Sequence, residues 1–182
     1  EYFRVMEALG MRMLPLFATA LDLNTDYFSS FFSRPLTSLR LAHYPPMHHE
    51  EDQYGLSPHT DSGFMTLLPQ SKVSGLQIRP EGSDWISPPD IPGTLIVNSG
   101  DILKRWTNDR FLSTPNLAKN ITNIDRYSLP FFFDPDADAL IKCLHTCQNA
   151  ENPPSYPAIK YGDYRDWFLI SNFGAKANEM TT

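Results

Sequence analysis

The sequence predicts a mainly β domain, a sandwich or barrel entered through an amphipathic helix, and three observations carry that reading. Apolar residues recur at three- and four-residue steps from Tyr2 to Leu21, the spacing of one helix face. After Pro35 the texture changes to short apolar runs, LRLAHY, GFMTLLPQ, GLQIR, TLIVNSGDIL and YSLPFFF, each bounded by Pro, Gly, Asp, Asn or Ser. That is the punctuation of strands and turns, not of alternating strands and helices. The 182 residues, 41% hydrophobic and 13% aromatic, suffice for one packed core.

Taken in order, Val5, Met6, Leu9, Met13, Leu16, Phe17 and Ala20 give the pattern of an amphipathic helix, which Pro15 is expected to kink or restart. In TLIVNSGDIL, strand periodicity puts Leu95, Val97 and Ser99 on one face and Ile96, Asn98 and Gly100 on the other. The tail NAENPPSYPAIKYGDYRDWF, rich in Pro and aromatics, is expected to lie over the outside of the barrel before a short helix near residues 161–170. The division expected is a single domain over 1–182, with a helical lead-in over 1–34, a core barrel over 35–135 and a C-terminal wrap over 136–182.

A formal charge of -6 and a pI near 5.3 argue against nucleic-acid and anionic-membrane partners, which need clustered Lys and Arg. No stretch approaches the ~20 apolar residues that span a bilayer, and EYFRVMEALG lacks a basic start and apolar core. A soluble, cytoplasmic chain is the expectation, with an earlier segment left open by the start at Glu1. Cys143 and Cys147 reach disulfide distance only if CLHTC forms a helical turn, and two thiols fit a reducing compartment.

The chemistry concentrates in two places. His59 and Asp61 stand at i and i+2, so a strand would put an imidazole and a carboxylate on one face, able to share a metal ion; a surface His beside a solvated Asp is the competing reading. Arg126 and Ser128 in DRYS repeat that spacing, and a guanidinium fork beside a hydroxyl is suited to clamping a carboxylate.

With these residues on the page, the chain resembles the iron(II) and 2-oxoglutarate dependent oxygenases of the isopenicillin N synthase type. The resemblance runs from about Tyr2 to Tyr164 and rests on LRLAHYPP, SPHTDSGFMTLL, GLQI, TLIVNSGDILKRWTND, FLSTP, DRYSLPFFFDP and NPPSYPAIKYGDY. It implies a double-stranded β-helix, or jelly roll, with the N-terminal helix packed along one sheet. It also implies Fe(II), 2-oxoglutarate as co-substrate, molecular oxygen and a small-molecule substrate that is hydroxylated or desaturated. His59 and Asp61 match the first two members of the two-His-one-carboxylate triad. Arg126 and Ser128 match the pair that binds the distal carboxylate of 2-oxoglutarate, and Tyr44 matches a tyrosine that reaches the same molecule.

The departure is at the third ligand. The family usually reads Ser-Thr-Pro followed by His-Arg-Val, whereas here Ser113-Thr114-Pro115 leads into Asn116-Leu117-Ala118, with Arg126 still ten residues beyond. An amide oxygen suits Mg or Ca better than iron(II), for which imidazole is the better donor. Three readings stand: a working oxygenase in which Asn116, water or a nearby His43, His48 or His49 completes the site; a degenerate member that binds 2-oxoglutarate or a small carboxylate without turnover; or an Asn-Leu-Ala segment that departs from the natural protein. A more general alternative is a cupin-like structural barrel in which all these groups are satisfied polar residues.

Other groups read as structural. His48 and His49 suggest a solvated loop, Cys143, His145 and Cys147 a packed strand end short of a fourth zinc ligand, and Asp101 a turn residue. Asn98, Trp106 and Phe131 would lie near the cavity mouth of a barrel, although aromatics this dense are more often core.

Overall fold

A computed structural model describes residues 1–46, 54–120 and 122–179; His48 and His49 lie outside them. The chain runs α1 (Tyr2–Ala20), β1 (Leu36–Leu39), β2 (Ala42–Tyr44), β3 (Leu56–His59), β4 (Met65–Pro69), β5 (Leu76–Ile78), β6 (Leu95–Ser99) and α2 (Asp101–Trp106). It continues with β7 (Asn116–Ala118), β8 (Arg126–Ser128), β9 (Phe131–Asp134), β10 (Leu140–Ile141), β11 (Ile159–Lys160) and α3 (Tyr161–Glu179). Short strands in antiparallel pairs, joined across sheets rather than as simple hairpins, make the jelly roll.

Among the described residues the largest sheet has the order β1-β9-β4-β6, and its alternation decides the architecture. Met65, Leu67, Phe131 and Phe133 point to one face and are at most 1% exposed. Against that face lies α1, through the stripe Met6, Gly10, Leu14 and Ala18 at four-residue steps. Gly10 permits the contact: a Cβ there would sit 2.5 Å from the Phe133 ring. Aromatic edges complete the layer, with Phe3 on Phe131 at 5.2 Å and Phe17 on Phe64 at 5.3 Å. Pro15 neither breaks nor restarts α1, which is continuous through it.

Thr66, Leu68 and Phe132 point to the other face and look across a cavity at two smaller sheets, β2-β8 and β3-β7-β5. Register places Tyr44 opposite Arg126 and His59 opposite Asn116, with a bulge between Leu56 and His59. The interior of the barrel is therefore lined by residues far apart in sequence.

Two elements differ from expectation. The run TLIVNSGDIL is not one strand: β6 ends at Ser99, and Asp101 opens α2, whose Ile102, Leu103 and Trp106 are buried at helical spacing. The final helix is longer than expected and continues to Glu179. Trp106 and Phe131 are core residues, not cavity-mouth residues. Cys143 and Cys147 are both free and buried, Cys143 just before the helical turn His145–Cys147 and Cys147 at its end. Among the described residues no helix is long and apolar enough to cross a membrane.

Candidate active site

One cavity is lined by Tyr44, His59, Asp61, Asn116, Arg126 and Ser128 together, with Arg40, Thr66 and a largely apolar remainder that includes Leu56, Leu68, Leu76, Leu117 and Phe132. These residues arrive on β2, β3, β7 and β8 and, for Asp61, on the turn leading into β4. A surface His-x-Asp pair is thereby excluded: the Asp61 side chain is only 10% exposed and that of His59 34%.

The hydrogen bonds of His59 set its proton. Its Nδ1 lies 2.9 Å from the Ser57 carbonyl, which can only accept, so Nδ1 carries the hydrogen and the neutral ring keeps its lone pair on Nε2. That atom faces Asp61 Oδ1 at 3.6 Å, too far for a hydrogen bond between them. The spacing suits two donors that each reach one ion over bonds of ~2.1 Å.

Asp61 is held firmly. Its Oδ2 accepts from Thr66 Oγ1 at 2.6 Å and from Asn98 Nδ2 at 2.8 Å, leaving Oδ1 to the cavity. The turn that carries it is tied by its backbone: Asp101 N–H donates to Asp61 O at 2.7 Å, Ile102 N–H to Gly63 O and Gly100 N–H to Phe64 O, both at 3.1 Å. From β9, buried Asp134 accepts the Phe64 N–H at 2.7 Å, and a Cβ on Gly63 would collide with that carboxyl. Only glycine fits there. Burial pushes the Asp134 carboxyl up to about 6, opposed by the hydrogen bonds from Phe64 and Tyr161. Asp101, expected as a turn residue, opens α2 and accepts from Thr60 Oγ1 at 3.1 Å.

On the far wall, Arg126 is 4% exposed and rests over the Tyr44 ring at 5.0 Å. Burial pulls its guanidinium below the ordinary value, and contact with Tyr44 works against that. Its Nε and Nη1 are buried with no hydrogen-bond partner among the described residues, and the same holds for Asn116 Nδ2. A buried guanidinium without an anion is costly, and among the described residues none pairs with these atoms, so an anionic ligand would fit there. Ser128 is buried on the same face, while Tyr127 between them points out and stacks on His43 at 4.7 Å.

His43 is thereby removed as a third metal ligand. It faces away from the cavity and lies 2.6 Å from Asp125. Among the described residues no group of three or more His, Cys, Asp or Glu is arranged to hold a metal, so neither the Cys143, His145, Cys147 set nor a third acidic or imidazole donor beside His59 and Asp61 is present there. The donor set that fits an ion is His59 Nε2 and Asp61 Oδ1, with the Asn116 amide directly opposite His59.

Residues 36–135 match the profile of the 2OG-Fe(II) oxygenase superfamily. The 2-oxoglutarate-Fe(II) type oxidoreductase hxnY of Emericella nidulans is 35% identical over 168 residues, 90% of this chain and 48% of that protein. Among solved structures, a full-length Neurospora crassa protein in complex with alpha-KG and thymine superposes with a TM-score of 0.88 at 29% identity, over 94% of this chain and 55% of that one. JOX2 in complex with 2OG, Fe and JA gives 0.84 at 32%, over 91% and 50%. The chain spans about half the length of the curated relatives it matches. The matched segment 36–135 makes up more than half of the chain and contains the residues that line the cavity, and the chain belongs to the 2OG-Fe(II) oxygenase superfamily.

Proposed function

We propose that this chain is the jelly-roll portion of a non-haem iron(II), 2-oxoglutarate dependent oxygenase that hydroxylates or desaturates a small organic substrate. The observation that carries the reading is the convergence of His59, Asp61, Arg126, Ser128 and Tyr44 on one cavity, with Arg126 Nε and Nη1 left without partners among the described residues. Iron(II) bound there supplies oxygen activation, coupled to conversion of 2-oxoglutarate to succinate and carbon dioxide. His59 Nε2 and Asp61 Oδ1 would hold the metal, and Thr66 and Asn98 keep Oδ2 turned away from it. Arg126 and Ser128 would take the distal carboxylate, with Tyr44 holding the guanidinium flat. The apolar lining excludes water from the reacting face.

The test is single-turnover mixing of the reduced, iron-loaded protein with 2-oxoglutarate and oxygen, following succinate. One succinate per protein is expected. None, with 2-oxoglutarate still bound, would sink the oxygenase reading.

A second reading has one observation in its favour, the amide of Asn116 where the family usually has an imidazole. On that reading the chain binds 2-oxoglutarate or another small carboxylate through Arg126, Ser128 and Tyr44 without turnover.

A further inference from the structure

Two guanidinium groups line the cavity at different depths. Arg126 is buried on β8, whereas Arg40 is exposed and sits in the link where the chain leaves β1, in the large sheet, for β2, in the small one. Its backbone is pinned at that crossing, the Arg40 N–H donating to Pro130 O at 3.0 Å. Pro130 occupies the matching link between β8 and β9 and also lines the cavity. Leu41 beside it is 74% exposed, so the chain turns Arg40 to the cavity and its neighbour away. No ion pair or side-chain hydrogen bond engages the Arg40 guanidinium among the described residues, while the exposed Arg110 is paired with Asp22 at 2.9 Å.

Charge counting makes that cation informative. Arg40 and Arg126 are the cations and Asp61 the anion of the described lining. A divalent metal, Asp61 and Arg126 together leave two positive charges, which dianionic 2-oxoglutarate cancels. Arg40 is then left over at the solvent-exposed rim of the cavity, where its charge has no partner among the described residues and an added opposite charge is favoured. The planar fork suits a carboxylate bound edge-on.

We infer that Arg40 is the specificity-determining residue for the primary substrate, which carries one anionic group, a carboxylate, on an apolar body. The inference rests on the oxygenase reading for the identity of the buried-end ligand. It assigns the deep cation to the co-substrate and the rim cation to the substrate. Arg40 would hold the acid group at the rim and direct the apolar part toward His59 and Asp61.

The experiment is calorimetry under argon on the manganese(II)-loaded protein, with and without saturating 2-oxoglutarate, using hexanoate, phenylacetate and benzoate, each against its primary amide. The result expected is that at least one acid binds tenfold or more tightly than its amide with 2-oxoglutarate present. Arg40→Gln should erase that preference and leave 2-oxoglutarate affinity within twofold, and Arg126→Gln should do the reverse. Arg40 is exposed and its structural contact is through the backbone, so the variant keeps the fold, which circular dichroism checks. Acids that bind no better than amides, or not at all, overturn the inference, as does an Arg40→Gln variant that keeps the preference or loses 2-oxoglutarate instead. Failure of the wild-type protein to bind 2-oxoglutarate strikes the oxygenase reading, and the acid-to-amide ratio measured without it still decides the role of Arg40.

Discussion

His59 and Asp61 stand two residues apart yet are held by different means. Asp61 has Thr66 and Asn98 on one oxygen, α2 on its carbonyl, and Asp134 beneath its turn. Among the described residues His59 has a hydrogen bond to the Ser57 carbonyl alone, on a strand with a bulge, and opposite it Asn116 has an amide nitrogen without a partner. The carboxylate wall is preorganised before any ligand arrives. The wall formed by β3 and β7, and Arg126 on β8 beside it, keep polar groups unmet among the described residues, and these a ligand would satisfy. The difference locates where binding free energy is gained: on the second wall, where each newly paired buried polar group recovers ~1–3 kcal/mol.

The largest effect that sharpens this contrast is at Arg126. Arg126→Ala should lower 2-oxoglutarate affinity by about 100-fold or more, because the carboxylate would lose its buried counter-charge. Unchanged affinity by calorimetry would remove the clamp. Next come the supports of Asp61: Thr66→Val and Asn98→Ala should each weaken metal binding by roughly 10-fold without moving 2-oxoglutarate affinity in the apo protein. On the other wall, Asn116→His should tighten iron(II) by about 10-fold, as an imidazole replaces an amide facing His59. No change would mean that another group already serves as third donor.

Gly63→Ala tests the turn itself. The added methyl meets the Asp134 carboxyl, and a loss of about 1–3 kcal/mol in denaturant unfolding is expected. The smallest signal is a pH dependence. With the Asp134 carboxyl raised to about 6 by burial, the folded chain holds a proton that the unfolded chain releases near 4. Stability from this group is therefore fully present below about 4, falls as pH climbs toward 6, and stays lost above it. Asp134→Asn should flatten that slope, and identical slopes in the two proteins would contradict the assignment.

Much of this site is legible in the chain because its chemistry repeats locally. Arg126 with Ser128 follows strand periodicity on β8, whereas His59 ends β3 and Asp61 lies on the turn after it, so there the i, i+2 spacing points to the right pair although only His59 is on a strand. Thr66, Asp134 and Arg40 leave no local signature, because each acts through a partner distant in sequence or through a position that only the fold creates. Asn98 is legible as a cavity residue, but its bond to Asp61 spans two strands and has no trace in spacing. His43 reads as a candidate ligand only until β2 is paired: Tyr44 set against Arg126 decides the inward face and turns its neighbour outward. The helix α2 does leave a signal, Gly100 followed by acidic Asp101 and apolar residues at helical spacing, masked by the apolar run before it.

An anaerobic titration with iron(II) in the presence of 2-oxoglutarate tests the metal site itself, through the visible charge-transfer band that arises only when the keto acid chelates bound iron. A band that saturates at one iron per chain, and that disappears in Arg126→Ala at the same concentrations, is expected. A protein that binds 2-oxoglutarate by calorimetry but shows no band at any iron concentration would contradict a productive metal site at His59 and Asp61.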